Sequence, residues 1–332
     1  MGRKTEHAEQ LVMSRPAGVS PHCCSPSVYT IPSRPPSPIT LVPKMRFPLK
    51  RLLHRSWYNR VQVLSDLHLE IGSQYGSFTF PATAPYLLLA GDVGRLVDYD
   101  GYLGFLAAQT ARYDAVLLVL GNHEFYQLSY AAGLAAAQRL AAEPCLRRRL
   151  VLLHRARWDS PPPARLTVLG CTLWSAIAAG DQARLVQARV ADFRRIEGWT
   201  PAAHSEAHAR EAAWLREQVA RLAGQQACDD GRRVLVATHH APCVRGTSSP
   251  QHADSPWSSA FATEMLAGAD WAPVRTWVFG HTHYSTDMVR GGVRVVANQR
   301  GYVFPPKPGA VGSTMQESAV SGGFDPGKVV IV

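Results

Sequence analysis

An α/β fold built on parallel strands is what this sequence predicts, and three observations predict it. Short apolar runs recur along the chain, and each stops abruptly at Gly or a polar residue: VQVLSD ending at Asp66, LLLAGD ending at Asp92, AVLLVLGNH ending at Asn122 and His123, VLVATHH ending at His239 and His240, and WVFGHTH ending at His281 and His283. Runs of this length, apolar throughout, read as strands buried on both faces. Segments with apolar residues at helical spacing separate several of them, as a parallel sheet requires. The His, Asp and Asn residues gather at the strand ends, the edge at which open α/β sheets bind ligands.

Residues 1–43 are rich in Ser and Pro and carry no periodic apolar pattern, so they cannot repay the entropy of ordering. The expected organisation is therefore a disordered, basic, Pro/Ser-rich N-terminal extension over 1–56 and a single domain over 57–332. Met45 opens the stretch that runs straight into the first strand, and a translation start is expected at or near it.

Strands are expected at Val61–Leu64 and Tyr86–Ala90. A helix at Tyr102–Arg112 then leads to a strand at Ala115–Leu120, which makes a βαβ unit. Tyr130–Ala142 is alanine-rich and leucine-spaced, a helix by propensity. Strands Leu150–Leu153 and Leu166–Leu173 flank the turn-forming SPPPA segment. After Pro201, Ala203–Ala223 carries an apolar stripe and reads as a long amphipathic helix. On it His204 and His208, one turn apart, read as part of a solvated face. Strands Val234–Ala237, Arg275–Phe279 and Val293–Ala297 follow, and Val329–Val332 is a last apolar run.

The 332 residues are 46% hydrophobic, enough for a sizeable core. The strand-end motifs run from Asp66 to His283, so neither half could carry them alone. The net charge of +10 is concentrated: residues 1–60 hold ten Lys or Arg against two Glu, a net of +8 that leaves +2 for the rest. The domain is thus nearly neutral, which argues against binding an extended polyanion; nucleic acid is a candidate only for the basic tail. Six cysteines show no spacing of a disulfide framework or zinc ribbon, as expected for reduced thiols and a cytoplasmic location. No apolar run approaches the ~20 residues that span a bilayer, and no membrane partner is expected.

Each motif has a plain structural reading when taken alone. Asp66 and His68 could form a strand-end turn and a helix cap, GNHE a turn, and GHTH a pair of core histidines. Together they form a metal-site composition. DLH, GD, GNHE, a His after a strand, and GHTH, in that order, resemble the calcineurin-like metallophosphoesterase superfamily over roughly Val61 to Val303.

The resemblance implies a two-sheet β-sandwich flanked by helices, the four-layer, metallo-dependent phosphatase-like architecture. It also implies two divalent metal ions bridged by Asp92, with Asp66, His68 and His283 completing one site and Asn122, His239 and His281 the other. Mixed oxygen and nitrogen ligation without thiolate suits Mn, Fe, Zn or Ni. The expected reaction is hydrolysis of a phosphate ester by a metal-bridging hydroxide, on a small-molecule or nucleotide substrate. The alternatives are a phosphodiesterase acting on cyclic nucleotides or nucleic acid, and a non-catalytic interaction scaffold.

By the same resemblance His123 protonates the leaving oxygen or steadies its charge. One departure bears on it. In the protein phosphatases of the superfamily, Asp and Arg stand three and four residues after the GD motif, where this chain has Arg95 and Leu96. An acidic partner for His123 is therefore unassigned, and a protein phosphatase is disfavoured. His240 is a candidate for substrate binding or for packing. Tyr126, Trp174, Asp192 and Arg195 could line the cleft or serve structure, and Asn298 and Arg300 could hold a phosphate or a turn.

Overall fold

The structure, a computed structural model, describes residues 57–225, 231–304, 316–317 and 323–332; the N-terminal extension lies outside them. Its first sheet is built from β1 (Arg60–Leu64), β2 (Tyr86–Ala90), β3 (Ala115–Val119) and β4 (Leu150–Leu152), all parallel. The last run of the chain, Val329–Ile331, pairs antiparallel with β1 and closes the far edge. Helices α1 (Tyr99–Thr110) and α2 (Tyr130–Ala141) make the crossovers on either side of β3.

The second sheet uses β5 (Ala156–Asp159), β6 (Leu166–Gly170), β7 (Arg233–Ala237), β8 (Val274–Phe279), β9 (Thr286–Arg290) and β10 (Val293–Ala297), in the order β5-β6-β7-β8-β10-β9. Its four middle strands are parallel, and β5 and β9 are antiparallel edges. Between β6 and β7 come α3 (Asp181–Arg189), α4 (Asp192–Arg195) and the long α5 (Pro201–Gln225). A small two-stranded sheet, β11 (Val303–Phe304) with β12 (Gln316–Glu317), completes the described elements, the terminal run being β13.

Strand alternation assigns each residue to a layer. In β1 to β3, Val61, Val63, Leu88, Leu117 and Val119 pack against Val168, Leu235, Ala237, Val278 and Val296 of the second sheet. Their neighbours Leu64, Leu87, Leu89, Val116 and Leu118 face the other way, onto Tyr102, Phe105, Leu106 and Leu140 of α1 and α2. The outer face of the second sheet is covered by Ala212, Leu215, Val219 and Leu222 of α5. Two sheets with helices outside both make four layers. Each of these buried Val and Leu side chains contributes roughly 1.5–3 kcal/mol relative to exposure.

The apolar runs therefore became the central strands within a residue of their expected limits, except β6, which stops at Gly170, three residues before the expected Leu173. The edge strands β5 (ARWD) and β9 (TDMVR) were not foreseen, because only alternate residues are covered and the sequence reads as polar. One expectation is overturned: His204 and His208 are buried, not solvated. His204 Nε2 accepts from the Ser175 backbone N–H at 3.1 Å, and His208 Nδ1 donates to Leu173 O at 2.8 Å. The helix carries its inward stripe through these imidazoles because the loop after β6 supplies polar partners for them. Among the described residues, no helix is long and apolar enough to cross a membrane.

Candidate metal centre

The strand ends of both sheets meet at one edge. Within the first sheet, Asp66 N donates to Gly91 O at 3.0 Å and His68 N to Asp92 O at 3.0 Å; within the second, Gly280 N donates to His239 O at 2.9 Å. Two bonds stitch the sheets together there: His281 N to Asp66 Oδ1, and His239 Nδ1 to Ala90 O, each 2.9 Å.

The chain leaves the strands by unusual turns. Asp66, His68, Asp92, His281 and His283 all have left-handed backbone, with φ between 46° and 73°. Asp visits this region with modest strain, but His does so at a cost of about 1–2 kcal/mol each. The glycines of the motifs have a packing reason. A Cβ at Gly121 would collide with Asp92 Oδ1 and His239 Nε2, and one at Gly91, where φ is +90°, would collide with the His239 ring. Glu124 of GNHE lies beneath, accepting the backbone N–H groups of Asp92, Val93 and Gly121 at 2.6–3.0 Å, so it holds two of the turns in one cradle.

Three groups of side chains bring one ligand-type atom each to within 4.8 Å of one another: Asp66, His68 and His283; Asp92, His239 and His281; and His68, Asp92 and His123. Asn122 joins the second, its Oδ1 being 3.0 Å from His239 Nε2. Asp92 lies between the sets, with Oδ1 3.4 Å from His239 Nε2 and Oδ2 3.8 Å from His68 Nε2.

The family model for calcineurin-like phosphoesterases matches residues 53–285. The chain belongs to the calcineurin-like phosphoesterase family. A relative of this chain is the uncharacterized protein L509 of Acanthamoeba polyphaga mimivirus, 23% identical over 261 residues that cover 73% of this chain and 91% of that protein. Among solved structures, the phosphopantetheinyl hydrolase of Mycobacterium tuberculosis superposes with a TM-score of 0.48 at 21% identity, covering 74% of this chain and 91% of the other. A dimetal phosphatase of Danio rerio does so with a TM-score of 0.40 at 14% identity, covering 72% and 86%.

Membership of this phosphoesterase family makes the protein a metal-dependent hydrolase and implies a dinuclear centre of divalent ions. The residues present fit such a pair. His239 spends its Nδ1 proton on Ala90 O, so a neutral ring would turn the Nε2 lone pair onto the Asn122 carbonyl lone pair 3.0 Å away. That contact is favourable only with a cation or a proton between the two atoms. Burial is the largest single influence on His239 and opposes its proton, but the charge and hydrogen bond of Asp92, the charge of Asp66 and the bond to Ala90 O together outweigh burial and raise His239 to about 10. In the other set, His68 and His283 meet Nε2 to Nε2 at 2.8 Å, and burial drives both toward the neutral form that ligation needs. His283 falls to about 3, helped by neighbouring His68.

Other buried groups fix the orientation of these donors. Asp192 accepts from Asn122 Nδ2 and from Tyr126 OH, both at 2.8 Å, which turns the Asn122 carbonyl toward the centre. Glu70 Oε1 accepts from His123 Nδ1 at 2.8 Å and from His68 Nδ1 at 3.4 Å. Burial would raise Glu70, but the His123 and His68 bonds outweigh it and hold the carboxyl at about 2. His123 Nε2 is left facing the cleft, 3.2 Å from Tyr302 OH and 3.9 Å from Asp92 Oδ2.

Tyr126, Asp192 and Arg195 border the cavities around this centre. Trp174 does not: it is fully buried, packed on Trp199 and His240. His240 is also fully buried and lines neither cavity beside the centre; its ring stacks at 4.1 Å on His281, so it packs behind that imidazole. Asn298 ties Val63 O to Asp325 O, and Arg300 ties Leu67 O to Gln74, which makes both structural. Glu70 and Tyr302 had not been singled out in the sequence. The one cue was an acid two residues beyond His68.

Proposed function

We propose that the protein hydrolyses a small phosphate ester at a pair of divalent transition-metal ions, one held by Asp66, His68 and His283, the other by Asn122, His239 and His281, with Asp92 shared. The observation that carries this reading is the division of Asp92, one oxygen toward each set of imidazoles. Bound there, such a pair would supply Lewis acidity toward the phosphoryl oxygens and the attacking water. Mn, Fe, Zn and Ni all suit this donor set.

The chain's own part is orientation and proton transfer. Glu70 fixes His123 with Nδ1 protonated, so Nε2 is the atom available to the leaving oxygen. Asp192 and Tyr126 hold the Asn122 carbonyl in place, and Asp92 Oδ1 accepts from His123 N at 2.9 Å, tying the turn that carries His123 to the shared carboxylate. The adjoining cavity of about 460 Å³ is enclosed by the loops after β3, α3 and β7, which suits a small molecule or nucleotide better than a polymer. His123 acts in this reading as the proton donor, although one of its ring nitrogens also lies within 4.8 Å of ligand-type atoms of His68 and Asp92.

Asp92→Asn is the deciding variant. Metal content measured by atomic emission should fall from two ions per chain toward one or none, and hydrolysis of p-nitrophenyl esters should drop by about 10³-fold or more. Two ions retained with near wild-type turnover would sink the shared-carboxylate reading.

A further inference from the structure

Two chambers meet at His123. The larger, the cavity of about 460 Å³ that contains Asp92, Asn122 and His281, is walled on its outer side by Val190, Val244, Trp257 and Phe261. Phe261 stacks on His281 with ring centroids 4.7 Å apart, so this apolar wall begins directly at the candidate metal centre. The smaller, of about 430 Å³, is lined by Glu70, Arg95, Arg195 and Phe304. His123, Tyr126 and Tyr302 belong to both walls. His123 packs on Tyr126 with ring centroids 4.2 Å apart and planes tilted by 34°, and its Nε2 faces Tyr302 OH, which makes the three rings a partition between the chambers.

The charge in the larger chamber is as informative as its shape. A phosphate monoester brings nearly two negative charges and three terminal oxygens, whereas a diester brings one charge and two. Among the described residues, the only Arg or Lys in the wall is Arg189, an exposed residue at the end of α3. Among the described residues, therefore, no guanidinium or ammonium of this wall faces a third terminal oxygen at the centre, while apolar area is offered to a second carbon substituent. Trp257 is 37% exposed and Phe261 half-buried, so both rings have surface to give to a ligand.

We propose that the substrate is a small phosphodiester, whose retained group lies flat against Trp257 and Phe261 and whose leaving alcohol departs past His123 into the chamber lined by Glu70, Arg95 and Arg195. The inference rests on the phosphoesterase reading above and narrows its substrate class. The reaction balances as follows: a water oxygen bonds to phosphorus and the bond from phosphorus to the leaving oxygen breaks. The water's proton is lost to solvent as His123 Nε2 delivers one to the departing oxygen. The products are a phosphate monoester and an alcohol.

The test uses the full chain loaded with Mn and three esters: bis(p-nitrophenyl) phosphate, methyl p-nitrophenyl phosphate and p-nitrophenyl phosphate. Both diesters should exceed the monoester in kcat/KM by about tenfold or more. Trp257→Ala should lower kcat/KM for the bis ester about fivefold, chiefly through KM, spare the methyl ester and leave metal content unchanged; Trp257→Phe should restore most of the loss. Faster turnover of the monoester than of either diester would overturn the diester assignment while leaving the hydrolase intact. An equal loss for the bis and methyl esters in Trp257→Ala would overturn the placement of the retained group. Metal-loaded protein that turns over none of the three would overturn the phosphoesterase reading and this inference with it.

Discussion

At Glu70 a single carboxylate oxygen serves two imidazoles, His123 at 2.8 Å and His68 at 3.4 Å. It fills the part left open by Arg95 and Leu96, where an acid after the GD motif would have been the partner for His123. Nothing in the spacing DLHLE says that its last residue turns back across the cleft, so this partner could not be read from the sequence. Glu70→Gln keeps the shape but removes the charge that orients and polarises His123. It should lower turnover of an activated ester by about 10–100-fold with both ions retained, measured as kcat beside metal content. Loss of metal from this variant would mean that Glu70 acts mainly through His68, and that His123 has little part in the chemistry.

Among the elements, the short helix α4 has an effect beyond its four residues. Asp192 at its start is fully buried and holds the amide of Asn122 in one orientation. Asp192→Ala frees that amide to rotate and should weaken affinity for one of the two ions by about 10–100-fold, read from competition with a chelator, while the other ion stays bound. Equal affinity for both would show that Asn122 needs no such support. The elements also show what the sequence could reveal. Strands buried on both faces, β1 to β3 and β6 to β8, announce themselves as unbroken apolar runs, and the polar residue that ends each run is where the cleft begins. Edge strands such as β5 and β9 bury only alternate residues, and a helix that buries polar side chains, as α5 does with His204, His208 and Glu211, defeats a reading based on apolar stripes alone.

One of those side chains also makes the stability of the whole molecule depend on pH. Burial raises the Glu211 carboxyl from 4.5 to about 8, and His154, whose Nδ1 is 4.0 Å away, is itself pushed down to about 4 by burial and by Arg155. The folded chain therefore keeps a proton that the unfolded chain has released across this range. The associated stability is full below about 4.5 and is lost as pH rises toward 8. Glu211→Gln removes the titration, so the variant should melt about 2–6 °C above the wild type at pH 8, with the gap narrowing toward pH 5. A gap that did not vary with pH would mean that Glu211 is not the titrating group.

Five of the seven proposed ligands hang from left-handed turns that Asn and Gly would occupy more comfortably than His. Relaxed selection for hydrolysis would let these positions drift toward such residues, and a lineage losing its chemistry would become sturdier as it did so. A descendant with Gly or Asn in place of His68, His281 or His283 would thus bear the mark of a retired enzyme, its fold free to be recruited for binding alone.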